Sequence, residues 1–185
     1  MGNHNNCVYT KRYLHMLKFE NLQKALTKYR DIVIDEAKSN LLRDGKVASG
    51  NLYNSIKGSP VKTSKNSLQF NIEMPYYATF VDKGVSGTEK KYNTPYAYSG
   101  SKKMIPPSKL DKWIIKRGIA PREFMSRKSL QYAIATNIYK RGIKPSLFFT
   151  KPFEKYFVNL PAEIVESFAL DVQEFMSFII KQNQR

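Results

Sequence analysis

The chain has 185 residues, is 42% hydrophobic and carries a formal net charge of +16. This composition supports a folded core and excludes wholesale disorder, and the single cysteine, Cys7, excludes a disulfide scaffold and fits assembly in a reducing cytoplasm. The N-terminus is polar, and no apolar stretch approaches the roughly 20 residues that span a bilayer. We therefore expect neither secretion nor a membrane partner.

The positive charge is concentrated in the middle of the sequence. Residues 83–153 contain 16 basic and three acidic side chains, whereas residues 154–185 contain three basic and five acidic ones. A block of this kind attracts a polyanion, which includes DNA, RNA, an acidic protein or an anionic membrane. The alternative is a basic face that is simply solvated.

The first elements in chain order are a polar arm and a long helix. Residues 1–18 are polar and basic, and we expect an arm that is ordered only against a neighbour. Apolar residues then recur in steps of three and four from Phe19 to Leu41, which predicts an amphipathic helix. Asp44 and Gly45 are predicted to end it, since glycine readily adopts the left-handed cap conformation.

A β-hairpin is predicted next. Residues 49–56 form a short linker that becomes a helical turn or the entry to a strand. Residues 68–74 alternate between apolar and polar side chains, which indicates a half-buried strand, and residues 57–63 are the predicted partner. The segment 75–84 is expected to close the strand and lead outward.

A long basic loop and two helices follow. Residues 85–107 lack apolar periodicity and predict a loop of more than 20 residues, a length that is uncommon unless the loop is functional or mobile. Ser108, with Asp111 three residues later, is predicted to cap a helix that ends at Gly118. A second helix is predicted from about Ser126 to Arg141 and ends at Gly142. Its expected inner stripe is Leu130, Ala133, Ile134, Asn137 and Ile138.

Two stretches, 112–121 and 137–145, share a pattern in which apolar residues are followed by the sequence Lys-Arg-Gly-Ile-x-Pro. A basic last turn, a glycine cap and a following proline are the usual way to stop a helix. We interpret both stretches as the same stop signal, because two copies do not make a repeat architecture.

The C-terminal part is predicted to be helical. Thr150 is a candidate cap with Pro152 in the first turn. A final helix, which Pro161 either starts or kinks, has apolar residues at helical spacing: Pro161, Val165, Phe168, Val172, Phe175 and Ile179, widened by Phe157, Ile164 and Met176. The predicted fold is α+β, with a long N-terminal helix, a small antiparallel β-sheet, a long basic loop and C-terminal helices. It comprises an arm, 1–18, and a single domain, 19–182, with a basic insertion at about 85–128.

The sequence offers little for catalysis. The two histidines, His4 and His15, both lie in the arm, and with one cysteine they provide no metal-ligand or nucleophile set. Asp31, Asp35 and Glu36 are the candidates for a metal-dependent nuclease, but flanking lysines make a salt-bridged surface an equally good explanation. We expect no catalytic residue, no metal and no cofactor.

The basic residues of 83–128 and their interleaved tyrosines allow two interpretations. They could bind single-stranded nucleic acid through charge and stacking, or dock onto an acidic neighbouring subunit. The candidate partner- or DNA-facing residues are Lys83, Lys90, Lys91, Tyr92, Tyr96, Tyr98, Lys102, Lys103, Lys112, Lys116, Arg117, Arg122, Arg127 and Lys128.

Three segments together resemble the tail-completion and head–tail joining (neck) proteins of tailed double-stranded DNA phages. They are Ser49-Gly50-x-Leu52-x-x-Ser55-Ile56 after the long helix, Tyr76-Tyr77-Ala78-x-Phe80-Val81-Asp82-x-Gly84 after the strand, and Gly142-Ile143-x-Pro145-x-x-Phe148-Phe149 before the C-terminal helix. The motif residues interpreted as structural are Gly50, Leu52, Ile56, Tyr77, Ala78, Val81, Gly84, Gly142, Pro145, Phe148 and Phe149. We expect Leu52, Ile56, Ala78, Val81, Phe148 and Phe149 to share one core.

The resemblance implies a non-enzymatic virion protein, assembled in the host cytoplasm, that forms a ring in the neck or tail through which DNA passes during ejection. It implies six- or twelve-fold self-association, contact with portal, adaptor and tail proteins, and non-specific contact with double-stranded DNA. The arm and the stretch 85–128 are larger than in the minimal family member. The alternative is a small basic nucleic-acid-binding protein that acts in the host cell.

Overall fold

The computed structural model describes residues 18–64, 67–98 and 104–183. The helices are α1 (Glu20–Arg43), α2 (Asn51–Ser55), α3 (Ala78–Lys83), a 3-10 helix (Pro107–Leu110), α4 (Asp111–Lys116), α5 (Arg127–Arg141), α6 (Thr150–Phe157) and α7 (Leu160–Asn183). The strands are β1 (Lys57–Gly58), β2 (Lys62–Thr63), β3 (Leu68–Gln69) and β4 (Ile72–Glu73). The fold is mixed α+β and mostly helical, which confirms the predicted class.

The chain divides into two compact units. We call residues 33–58 and 72–153 the motif unit, and Met1–Ile32, Ser59–Asn71 and Glu154–Arg185 the terminal unit. The single domain predicted for 19–182 stays a prediction. Apart from Lys18, the predicted arm lies outside the described residues.

The hydrophobic core of the motif unit is built from four short stretches. Its buried members are Ile34, Ala37, Leu41, Leu52, Ile56, Ala78 and Phe148, and Val47, Ile72, Met74, Val81 and Phe149 pack against them. The helix α1 ends as predicted: Gly45 has φ 58°, its N–H donates to the Leu42 carbonyl, and the Lys46 N–H donates to the Leu41 carbonyl. The last carbonyls of α1 are thereby satisfied without side chains.

The predicted hairpin is present but its second strand is interrupted. In the motif unit β1 pairs antiparallel with β4, and in the terminal unit β2 pairs antiparallel with β3. Ser59 and Asn71 are hydrogen-bonded through Ser59 N–H to Asn71 O (2.8 Å), and Lys62 faces Gln69. Between these two pairs, Pro60 and Val61 of the first strand face the single residue Phe70 of the second, which is a β-bulge. Proline is tolerated at a bulge because its missing N–H is not needed for pairing there.

The segment after β4 corrects one prediction. Residues 75–84 do not lead outward; they form α3, whose Ala78 and Asp82 are buried. A helix here places Ala78 in the core and brings the Asp82 carboxylate to backbone N–H groups of the chain at 149–150. The alternation of apolar and polar residues over 68–74 does not indicate that a helix follows it.

The helices of the basic stretch correct two further predictions. Ser108 does not cap α4 with its side chain; it lies in the 3-10 helix that follows Pro106, and its carbonyl accepts from the Asp111 N–H. In α5, Ala133 and Asn137 are exposed and Ala135 is buried, so the inner stripe is shifted. The helix α5 starts where it was predicted, and Ser126 caps it by accepting from the Ser129 N–H.

The terminal unit joins the start of α1 to α7 through a buried carboxylate. Asp171, in the middle of α7, accepts from Asn21 N–H (2.9 Å), Asn21 Nδ2 (3.0 Å) and Leu22 N–H (3.1 Å). The two backbone N–H groups belong to the first turn of α1, where they have no intrahelical acceptor. Pro161 lies in the first turn of α7, so it starts this helix and does not kink it.

Candidate assembly surface

Two glycines let distant stretches of the motif unit approach closely. Val85 and Ile143 exchange backbone hydrogen bonds of 2.9 and 2.8 Å. A Cβ on Gly84 would lie 2.5 Å from the Ile143 oxygen, and one on Gly142 would lie 2.1 Å from the Val85 oxygen. Both glycines also have backbone angles, φ 73° with ψ 179° and φ 72° with ψ −165°, that are essentially restricted to glycine. We call residues 81–87 with 140–150 the junction.

The acidic residue of the junction acts as a helix cap. Asp82 Oδ1 accepts from Phe149 N–H (2.9 Å) and Thr150 N–H (3.2 Å), and Oδ2 accepts from the Thr150 hydroxyl. The Asp82 carbonyl accepts from Ser146 N–H and Leu147 N–H. The side chain is only 5% exposed. A buried carboxylate with these partners at the first turn of α6 satisfies orphan N–H groups and complements the helix dipole.

Residues of all three resembling segments share the core of the motif unit. Leu52, Ile56, Ala78 and Phe148 are buried together, with Val81 and Phe149 packed against them, so the predicted common core is confirmed. Gly50 has φ 74° at the start of α2, and Pro145 lies beside Gly84. Tyr77 differs from the others because it is 46% exposed at the start of α3.

An apolar groove opens beside the junction. Its volume is about 680 Å³, and its lining includes Tyr77, Phe80, Val85, Tyr96, Tyr98 and Ile143. Phe80 packs edge-on against Tyr96 with ring centres 4.7 Å apart, and burial raises the pKa of Tyr98. We call this feature the aromatic groove. Its size falls within the range of about 300–1,000 Å³ that is typical of binding pockets.

The tyrosines predicted to project from a basic loop are partly used inside the protein. Tyr92, Tyr96 and Tyr98 are half-buried. The Ser86 N–H donates to Tyr96 O, and Tyr98 N–H donates to Ser86 O, so this part of the loop is held against the junction. The loop was predicted from its lack of apolar periodicity, which cannot reveal backbone pairing of this kind.

The basic side chains of the predicted site are spread over the exposed part of the motif unit. Lys83, Lys90, Lys91, Lys112, Lys116, Arg117, Arg122, Arg127 and Lys128 are exposed. Lys90 Nζ lies 5.4 Å from the centre of the Tyr92 ring, and the Arg117 guanidinium lies 5.7 Å from that of Trp113. Lys102 and Lys103 lie outside the described residues. The role of this set as a partner- or DNA-facing surface stays a prediction.

Internal ion pairs neutralise little of this charge. Within 83–153 the three acidic residues are Glu89, Asp111 and Glu123. Glu89 pairs with Lys140 at 2.9 Å, and Asp111 pairs with Arg127 at 2.7 Å. The hydrogen bond from Arg127 is the main cause that lowers the pKa of Asp111. Because basic residues outnumber acidic ones so strongly, most of the surplus must be balanced by solvent ions or a partner.

The carboxylates considered for a nuclease are arranged as a surface. Asp31 forms an ion pair with Arg30 (2.7 Å), and Asp35 is exposed. Within the described ranges, no three His, Cys, Asp or Glu side chains gather closely enough to hold a metal ion.

Three functional features were not visible in the sequence. The capping roles of Asp82 and Asp171 depend on helix ends 67 and 150 residues away along the chain. The aromatic groove combines α3, the loop and Ile143. The predicted apolar stripe of α7 is partly turned outward: Val165 is 69% exposed and Met176 is 51% exposed, whereas Asp171 occupies the buried position.

Comparison with known proteins adds no relative. No protein-family model matches the chain, and neither a curated protein nor a solved structure shows significant similarity to it. Among the helices of the described residues, none is long and apolar enough to cross a membrane.

Proposed function

We propose that this protein is a structural virion subunit of a tailed phage, which forms a ring in the neck or tail-completion complex through which DNA passes. The observation that carries the proposal is that all three resembling segments contribute to one core, and that the second and third also meet at the junction. Separate weak motifs that fold into a single unit form a more specific pattern than any of them alone.

The chemistry of the junction supports a structural role over an enzymatic one. The acid of the second segment, Asp82, is buried and has its two oxygens engaged by backbone N–H groups and a hydroxyl. A general base or metal ligand needs a lone pair directed at a substrate or ion. The carboxylate instead fixes the start of α6.

The exposed cations of the motif unit fit a position between polyanions. In a ring of identical subunits they would line the channel or face acidic neighbours. Contact with DNA phosphates is electrostatic and independent of sequence, which suits a protein past which any packaged genome must move. In this proposal the partners are further copies of the chain together with portal, adaptor and tail proteins.

Loss of the gene in its phage tests the proposal. We expect filled heads and complete tails that fail to join, and restored joining when the gene is supplied from a plasmid. The matched control is a plasmid copy carrying Gly142→Ala, which is expected to fail because the junction cannot close. Normal, infectious particles without the gene would contradict the proposal.

A second candidate function is nucleic-acid binding in the host cell. The pairs Lys90 with Tyr92 and Arg117 with Trp113 favour it, since a cation beside an accessible ring can engage phosphate and base together, and Tyr92 is half-buried whereas Trp113 is 37% exposed. If about six phosphates are contacted, binding should fall with salt at a log–log slope near −5. Negligible binding at moderate salt would remove this candidate.

A further inference from the structure

The final helix, α7, has two apolar sides. Towards α1 in the terminal unit it contributes the buried Asp171, and Phe168 stacks on Phe19 with ring centres 6.1 Å apart. Away from that side, apolar residues recur with alternating steps of three and four, which we call the outer seam: Ala162, Val165, Ala169, Val172, Met176 and Ile179. Spacing of this kind is how a helix presents a continuous stripe to another surface.

Four of the six residues of the outer seam are exposed in the single chain, and Val172 and Ile179 are half-buried. Val165 and Met176 are both more than half exposed, and Ala162 and Ala169 are also exposed. A contiguous apolar stripe on a soluble surface is typical of a protein–protein contact. The helix that carries it is acidic, since α7 contains four carboxylates and one lysine.

The aromatic groove has the complementary character. Its lining is apolar, and the chain beside it is basic: Lys83 ends the helix that supplies Tyr77 and Phe80, and Lys144 follows Ile143 in sequence. Both lysines are exposed. An apolar groove in a basic part of the chain fits a helix of net negative charge, anchored by apolar residues spaced like those of the outer seam.

We propose that the outer seam of α7 in one copy of this chain docks into the aromatic groove of the next copy. Self-pairing of two seams would bring like-charged helices together, whereas seam-to-groove contact joins opposite charges. The two surfaces are different and belong to different units, so the contact is head-to-tail. A head-to-tail contact produces rings when its rotation closes. This inference rests on the proposed function and specifies the contact that builds the ring.

Matched variants of each surface test the contact. Val165→Lys together with Met176→Lys breaks the seam at exposed positions, and Leu170→Lys, exposed but off the seam, is its control. Tyr77→Asp breaks the groove, and Asp is tolerated there because Tyr77 is the N-cap residue of α3, a position that favours Asp. Tyr132→Asp, at a side chain that is 61% exposed and outside the groove lining, is the control for the groove.

The measurement is native mass spectrometry with light scattering, after circular dichroism has shown that each variant melts like the wild type. We expect a closed oligomer for the wild type and both controls, and a monomer for each broken variant. Mixing the two broken variants should give a species of twice the mass of one chain and no larger, because one intact seam and one intact groove remain. That capped dimer is specific to a head-to-tail contact.

Other results overturn the inference. A seam variant that still forms the ring, or a groove variant that keeps the wild-type mass, shows that the contact lies elsewhere. Loss of assembly by the seam variant alone shows a seam paired with itself. A wild-type chain that stays monomeric at every concentration also overturns it. The proposed function is decided separately, by whether virions contain the protein.

Discussion

The junction and the basic stretch 104–128 contain the same local helix-stop sequence, but only in the junction does close packing depend on it. Both contain the sequence Lys-Arg-Gly-Ile-x-Pro, and in both the glycine ends a helix with positive φ. Around Gly118 nothing lies within 4 Å of a Cβ position, whereas a Cβ on Gly142 would overlap the backbone of Val85 and Gly87. A helix stop is a local property, but the packing that depends on it is set by the rest of the fold.

The largest expected difference between the two regions is in their glycines. Gly142→Ala should destabilise the protein by at least about 3 kcal/mol, because strain and backbone overlap act together. Gly118→Ala should lower the free energy of unfolding by about 1 kcal/mol, because alanine is strained in the left-handed conformation even where the space around it is open. Urea unfolding of both variants measures the difference. Equal losses would show that the junction is not tightly packed.

The next effect concerns the acidic residues. Asp82→Ala should lower the free energy of unfolding by about 2–3 kcal/mol, since buried N–H groups at the start of α6 lose their acceptor. Asp82→Asn keeps one acceptor oxygen, so its loss should be smaller. Asp111→Asn, in the basic stretch, is the control and should change stability least of the three, because its ion pair is solvent-exposed. Thermal unfolding ranks the three, and a harmless Asp82→Ala would refute the capping role.

A smaller effect is expected at the start of α5. Ser126→Ala removes the hydroxyl that accepts from the Ser129 N–H at 3.1 Å. Loss of an N-cap of this kind typically costs about 1 kcal/mol. The change should be confined to the basic stretch, so amide hydrogen exchange should accelerate in the first turn of α5 and stay unchanged at Val85 and Ile143. Faster exchange at the junction would mean that the two regions are coupled.

The smallest effect is the pH dependence of the exposed pair Asp111 and Arg127. Because Arg127 lowers the pKa of Asp111 in the folded protein, the pair contributes stability above the unfolded pKa and loses it as pH falls through the folded one. Arg127→Ala should raise the pKa of Asp111 in an NMR titration, and its stability deficit should vanish in acid. An unshifted Asp111 titration would contradict the pairing.

Local signals in the sequence predicted the helix ends well. The stop at Gly45, the start of α5 near Ser126 and the stop at Gly142 depend on neighbouring residues, and the structure has them where the pattern indicates. The alternation of 68–74 gave the hairpin, although the bulge opposite Phe70 was not visible because it depends on pairing.

Features that depend on contacts between distant residues could not be predicted from local sequence patterns. The helix α3 was missed because Ala78 and Asp82 gain their partners, Phe148 and Thr150, only when the junction closes. The expected core of motif residues was correct, and it could be predicted because all six residues are apolar. The outward side of α7 was hidden, since an apolar stripe does not reveal which neighbour it faces.

The most direct test of the central claim is the composition of virions. Quantitative mass spectrometry of purified phage particles should detect this protein at a fixed copy number, and a neck or tail-completion ring predicts six or twelve copies per particle. Absence of the protein from infectious particles, or a variable trace amount that washes away with salt, would contradict the account.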